Sequence, residues 1–196
     1  MKTTIIILLC LLTTVVAGGI SLFRQRDHQP QNTEALIGGS FTLTDQKSRT
    51  RTDQEFRGKL MLVFFGFTHC PDVCPMGLAQ ITQSLEALKY DAQKVSPVFI
   101  TVDPDRDTPE VMKAYLQNFH PAITGLTGSK EQVQAVIDAY KVYAIKVEGI
   151  HHHQDSYTMS HSGYMYLMDR NGKYLTHLGH TATPADIVRK IRENLY

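Results

Sequence analysis

Two cysteines, Cys70 and Cys74, stand close together in Thr68-His69-Cys70-Pro71-Asp72-Val73-Cys74-Pro75. The chain has three cysteines in all, and the third, Cys10, lies in an apolar N-terminal run. Two neighbouring thiols either join as a disulfide or, as thiolates, hold a soft metal. If the segment is helical, positions i and i+4 share a face with β-carbons roughly 5–6 Å apart. A disulfide wants about 3.5–4.5 Å. The spacing therefore suits two sulfurs converging on one metal, while a disulfide stapling a strand to a helix stays open. Two thiolates favour copper(I), zinc or an iron–sulfur centre. A structural zinc site takes about four protein ligands, and no further cysteine lies outside the apolar run. Two thiolates plus one imidazole suit copper.

The imidazole must come from one of nine histidines. His69 follows a strand pattern directly before Cys70, so alternation points it elsewhere. His151-His152-His153 is a run in a polar segment, either a solvated hairpin tip or a place where copper gathers. His161 stands in Thr158-Met159-Ser160-His161-Ser162-Gly163, which reads as a loop before a strand. A loop histidine taken alone is more often solvated than a ligand.

These residues need elements to carry them. Leu60-Met61-Leu62-Val63-Phe64-Phe65 is a continuous apolar run of strand length, as expected of a buried central strand. It ends just before the cysteines, and a helix is expected over residues 75–88 with Leu78, Ile81, Leu85 and Leu88 on one stripe. The cysteines thus fall at a helix start, which stabilises thiolate. Residues 98–102 form a second buried strand. Thr108-Pro109 opens a helix with Thr108 as N-cap. Ser129 caps a helix to Tyr140, with Gln132 three residues on. Residues 40–44 and 143–147 alternate as strands do. Residues 164–168 and 173–178 form a hairpin around Asn171-Gly172. Thr183-Pro184 starts a last amphipathic helix with Ile187, Val188, Ile191 and Leu195. This order predicts an α/β fold, a thioredoxin-like sandwich with a central mixed sheet flanked by helices.

The remaining chain is an N-terminal extension. Residues 3–23 carry no charge and are long enough to span a bilayer. A cleaved signal peptide ending at Val15-Val16-Ala17 competes with an uncleaved anchor. The apolar run continues to Phe23, which favours the anchor. Domains are expected as residues 1–23, a transmembrane signal anchor; 24–35, a linker with Pro30; and 36–196, the metal-binding domain. The expected location is the bacterial inner membrane, single-pass, with the globular domain in the periplasm. A net charge of +1 supplies no field to hold a phosphate backbone, so nucleic acid is not an expected partner.

Phe65-Gly66-Phe67-Thr68-His69-Cys70-Pro71-Asp72-Val73-Cys74-Pro75 closely resembles the copper-site motif of the Sco/SenC proteins. Thr101-Val102-Asp103-Pro104-Asp105-Arg106-Asp107-Thr108-Pro109 resembles their next strand and loop. Tyr140-Lys141-Val142-Tyr143 and Ser160-His161-Ser162 before Tyr164-Met165-Tyr166-Leu167-Met168-Asp169 also match, so the resemblance covers residues 35–196. It implies one copper ion, Cu(I) or Cu(II), held by Cys70, Cys74 and His161, with Cys70 and Cys74 also able to form a redox-active disulfide. It implies delivery of copper to the dinuclear copper centre of cytochrome c oxidase, or reduction of that centre's cysteines. Implied partners are the oxidase subunit carrying that centre, other periplasmic copper chaperones and thioredoxin-like reductants.

Asp103 matches a family acidic residue near the site; its alternative role is a turn aspartate before Pro104. The family often has aspartate where Ser160 stands, which bears on how His161 is oriented. A chaperone needs no bond-making catalysis, whereas a thiol–disulfide oxidoreductase would be an enzyme. A peroxidase shares the fold, but the peroxiredoxin Pro-x-x-x-Thr-x-x-Cys pattern is absent.

Overall fold

The computed structural model describes residues 37–148 and 157–195. The expected anchor and linker, Cys10 and the His151-His152-His153 run lie outside the described residues. Among those described, no helix is long and apolar enough to cross a membrane.

The apolar run after Lys59 becomes β3 (Leu60–Gly66), buried along its whole length. It pairs in parallel with β4 (Val95–Thr101), and β4 pairs in parallel with β5 (Thr124–Thr127). Antiparallel strands complete the sheet: β1 (Thr42–Asp45) and β2 (Thr50–Thr52) beyond β5, and β8 (Met165–Met168) and β9 (Tyr174–Leu178) beyond β3. The order is β2-β1-β5-β4-β3-β8-β9, a mixed seven-stranded sheet. Burial on both faces explains why β3 reads as an unbroken apolar run, as does the stretch 98–100 of β4, rather than alternating.

The two faces carry separate cores. Met61, Val63, Phe65, Val98 and Ile100 pack with Val133, Val136 and Ile137 of α3 (Lys130–Ala139). Leu60, Leu62, Phe64 and Phe99 pack with α1 (Val73–Leu88), α2 (Pro109–Leu116) and α4 (Pro184–Glu193). The expected stripe of Leu78, Ile81, Leu85 and Leu88 is the buried face of α1. The caps form as expected: Thr108 Oγ1 accepts from Val111 N–H, and Ser129 Oγ accepts from Gln132 N–H in a full capping box. The Asn171-Gly172 hairpin forms too, with Gly172 at φ +80°.

β6 (Ala144–Glu148) and β7 (Tyr157–His161) form a separate antiparallel two-stranded ribbon. It makes no ladder with the main sheet. The expectation of a loop around His161 is therefore corrected, because His161 is the last residue of β7, paired across the ribbon with Ala144. Tyr157, Met159 and His161 alternate towards the domain while Thr158 and Ser160 are exposed.

Candidate functional site

β3 and β4 run parallel, so their carboxyl ends open at one edge of the sheet, the usual place for a site in such folds. The chain leaves β3 at Gly66 and enters α1 at Val73. Cys74 lies in the first turn of α1 and is fully buried; Cys70 sits half-buried in the preceding loop. The thiols therefore do not meet as two positions on one helix. Pro71 disfavours helical backbone at Cys70. The loop instead folds back, with Cys70 N–H donating to the Phe67 carbonyl at 3.3 Å. Cys74 N–H then points at Cys70 Sγ from 3.4 Å, and the two cysteines are unlinked thiols.

Their protonation is divided. The Cys74 thiol donates to Cys70, and with the backbone amides of Asp72 and Cys74 and nearby His161 it brings the Cys70 thiol down to about 5, against the opposing effect of burial. Donating that hydrogen bond pushes the Cys74 thiol well above its ordinary value, and burial adds to the shift. The hydrogen bond therefore favours the thiolate at Cys70 and the thiol at Cys74.

Gly66 makes room for this arrangement. A β-carbon there would lie 2.7 Å from Cys74 Sγ and 2.7 Å from the Phe99 ring. Only glycine lets the helix start approach the strand end so closely.

β7 brings the imidazole from the other side of the chain. His161 Nε2 lies 3.6 Å from Cys74 Sγ, and Nδ1 lies 3.0 Å from the Ser162 carbonyl. A carbonyl only accepts, so Nδ1 is the nitrogen that donates to Ser162, and Nε2 is the nitrogen that faces sulfur. Phe67 meets the ring edge-on, centroids 5.8 Å apart. Ser160 faces the opposite side of the ribbon, so the carbonyl of Ser162 orients His161, not the Ser160 side chain.

Asp103 is buried, but its carboxylate bonds to none of the three candidate ligands. It accepts from Arg106 Nε and, at 2.7 Å, from Tyr157 Oη. Its backbone carbonyl also closes a turn with the N–H groups of Arg106 and Asp107. Asp103 is thus both a turn residue and a partner of β7. His69 turns away from the cysteines: Nδ1 lies 3.1 Å from Thr68 Oγ1 and 3.9 Å from Asp107 Oδ1. Asp107 is fully buried and accepts from Thr68 N–H, Thr68 Oγ1 and Thr101 Oγ1, fixing the loop that carries Cys70. Burial pushes the Asp107 carboxyl above the usual carboxylate range, against the opposing pull of these hydrogen bonds. Arg106 and Asp107 stand in the family-like stretch 101–109, but no pattern there assigned them a role; Tyr157 was not marked, although the alternation of Tyr157, Met159 and His161 could have signalled it.

The donor set fits a soft metal: an ionised sulfur, a second sulfur able to ionise on binding, and an imidazole nitrogen whose other nitrogen is held. Among the described residues no three such side chains form a ready-made cage. A bound ion would take the place of the hydrogen bonds that now join the ligands.

A mixed sheet flanked by helices, with a cysteine pair at the first helix start and a histidine facing it, defines a thioredoxin-like domain suited to thiol or soft-metal chemistry. The chain belongs to the SCO1/SenC family, whose model matches residues 29–196. It is 43% identical over 158 residues to an SCO2-like protein of Rickettsia felis, covering 81% of this chain and 77% of that one. The copper-bound structure of ScoI from Bradyrhizobium japonicum is similar at 45% identity and TM-score 0.75, covering 81% of this chain and 99% of that chain. Copper-bound yeast Sco1 is similar at 36% identity and TM-score 0.74, covering 82% and 88%.

Proposed function

We propose that this protein is a copper metallochaperone that carries one copper ion on Cys70, Cys74 and His161 and delivers it to the dinuclear copper site of cytochrome c oxidase. The observation that carries this reading is the facing of His161 Nε2 and Cys74 Sγ at 3.6 Å, with Nδ1 engaged by a carbonyl. The family and its copper-bound relatives supply the metal. Residues 1–23 anchor the chain in a bacterial inner membrane, the linker follows to residue 35, and the domain faces the periplasm and the oxidase subunit.

Copper is cargo here. Cys70, ionised and partly exposed, engages the incoming ion first. Cys74 joins as its proton leaves to solvent, and His161 closes the set through Nε2. Release starts at the same accessible sulfur, as incoming thiolates of the partner replace Cys70 before Cys74 and His161 let go.

One observation favours a second reading, reduction of the partner's cysteines. Cys70 is a half-buried thiolate backed by a fully buried thiol, the arrangement of an attacking and a resolving cysteine. Cys70 sulfur attacks a partner disulfide, whose S–S bond breaks and whose departing sulfur takes up a proton. Cys74 loses its proton and attacks Cys70, freeing the second partner thiol. The partner is reduced, and Cys70–Cys74 is oxidised to a disulfide.

Copper titration of the full chain tests the first reading. The expected result is one copper per chain with sulfur-to-copper charge-transfer absorption. Binding should be lost in Cys70→Ser and Cys74→Ser and weakened in His161→Ala. Equal binding in wild type and His161→Ala would sink the ligand set. Undiminished thiol exchange in His161→Ala, beside weak copper binding in the wild type, would favour the reductase.

A further inference from the structure

His161 has an exacting task and a weak support. Its strand, β7, belongs to a two-stranded ribbon with no ladder to the main sheet. At its base the ribbon is tied by Ser162 N–H to the Tyr143 carbonyl, 2.9 Å, and by Tyr143 N–H to Ser162 Oγ, 3.0 Å. These bonds hold the ribbon to itself and do not press it onto the domain. An isolated two-stranded hairpin is marginal in water; Ala144 and Met159 pack its base against the core, and a polar tie holds its far end.

That tie is at Tyr157, four residues up the strand on the same face as His161. Arg106, on the loop between β4 and α2, reaches it in three ways. Its Nη1 donates to the Tyr157 carbonyl at 3.0 Å, and its guanidinium lies 3.7 Å from the centre of the Tyr157 ring. Its Nε donates to Asp103, whose other oxygen accepts from Tyr157 Oη at 2.7 Å. Asp103 therefore joins the two. Lys146 Nζ lies 3.8 Å from the same ring centre, so the ring sits between two cations. Arg106 also approaches the Phe67 ring at 5.9 Å, and Phe67 is the ring that meets His161 edge-on. One side chain thus touches both the strand that carries the imidazole and the ring that abuts it. A planar fork with several donors can do this; a lysine point charge cannot.

We propose that Arg106, backed by Asp103, is the positioning residue of the site: it latches β7 to the domain at Tyr157 and thereby fixes the place of His161. The latch rests on the copper reading for its purpose, but its mechanical part stands apart from copper. The test uses the full chain and two readouts. Hydrogen exchange of the metal-free protein compares the wild type with Arg106→Met and Arg106→Lys. The expected result is roughly 10-fold faster exchange in β7 for both variants, with β3 and β8 unchanged, because neither side chain can bridge Asp103 and the Tyr157 carbonyl. Copper transfer to a chelator should run about 10-fold faster in Arg106→Met, the usual scale for removing support behind a ligand. In a His161→Ala background, Arg106→Met should add nothing.

Unchanged exchange in β7, exchange that rises evenly across the domain, or wild-type behaviour in Arg106→Lys would each overturn the latch. So would an equal copper effect of Arg106→Met with and without His161. Copper transfer unaffected by His161→Ala alone would instead overturn the ligand set, while the exchange result still decides the latch.

Discussion

Gly66→Ala probes how tightly the site is packed. The added β-carbon would sit 2.7 Å from Cys74 Sγ and 2.7 Å from Phe99 Cε2. Ordinary contacts need about 3.5–4.0 Å, so both neighbours must retreat by about 1 Å. Phe99 is buried among the side chains of α1 and α2, and Cys74 is fixed in the first turn of α1, so neither yields freely. Overpacking of this kind costs about 1–3 kcal/mol, and replacing glycine in a strand returns about 0.5–1 kcal/mol. The net loss of stability is then roughly 0–2.5 kcal/mol. Copper binding should suffer more, because the displaced atom is a candidate ligand; a loss of about 10–100-fold is expected. Gly58→Ala is the matched control. Gly58 has φ +83° and nothing within 4 Å of an added β-carbon. Its substitution strains the backbone by about 1–2 kcal/mol and should leave copper binding untouched. Urea denaturation gives the stability of each variant, and chelator competition gives its copper affinity. Wild-type affinity in folded Gly66→Ala, or equal affinity losses in the two variants, would refute the packing argument.

Alkylation of Cys70 by iodoacetamide should follow its thiolate, with reactivity present above about pH 5 and lost as the pH falls through that value. A midpoint near that of a free thiol, about 8.5, would show that Cys74 and the helix start do not stabilise the charge. Asp107→Ala should cost about 2–3 kcal/mol in urea denaturation, because the Thr68 amide and two buried hydroxyls lose their acceptor. A loss below about 0.5 kcal/mol would mean those donors find other partners.

Much of this fold could be read where local chemistry and tertiary context agree. Leu60–Gly66 is buried on both faces and reads as one apolar run. Thr108-Pro109, Ser129 with Gln132, and Asn171-Gly172 each mark an element end by a local rule, and each forms as written. β5 was not legible, because Thr124-Gly125-Leu126-Thr127 is short and contains a glycine. That glycine is set by packing: a β-carbon at Gly125 would collide with the Leu116 side chain. β7 was hidden by its polar sequence, since half of it faces outward and its inward residues serve the site.

The site was legible in the same uneven way. Cys70 and Cys74 announced themselves by spacing, although a folded-back loop rather than a helix face joins them. His161 stands 87 residues from Cys74, and no local pattern reaches that far; only the family resemblance pointed to it. Arg106 and Tyr157 are separated by 51 residues, and their contact exists only once the ribbon has docked.

X-ray absorption at the copper edge of the loaded full chain tests the ligand set most directly. The expected result is two sulfurs and one imidazole nitrogen per copper, with the nitrogen shell lost in His161→Ala and a sulfur lost in Cys70→Ser and in Cys74→Ser. A sulfur-free copper environment, or identical spectra for wild type and His161→Ala, would contradict it.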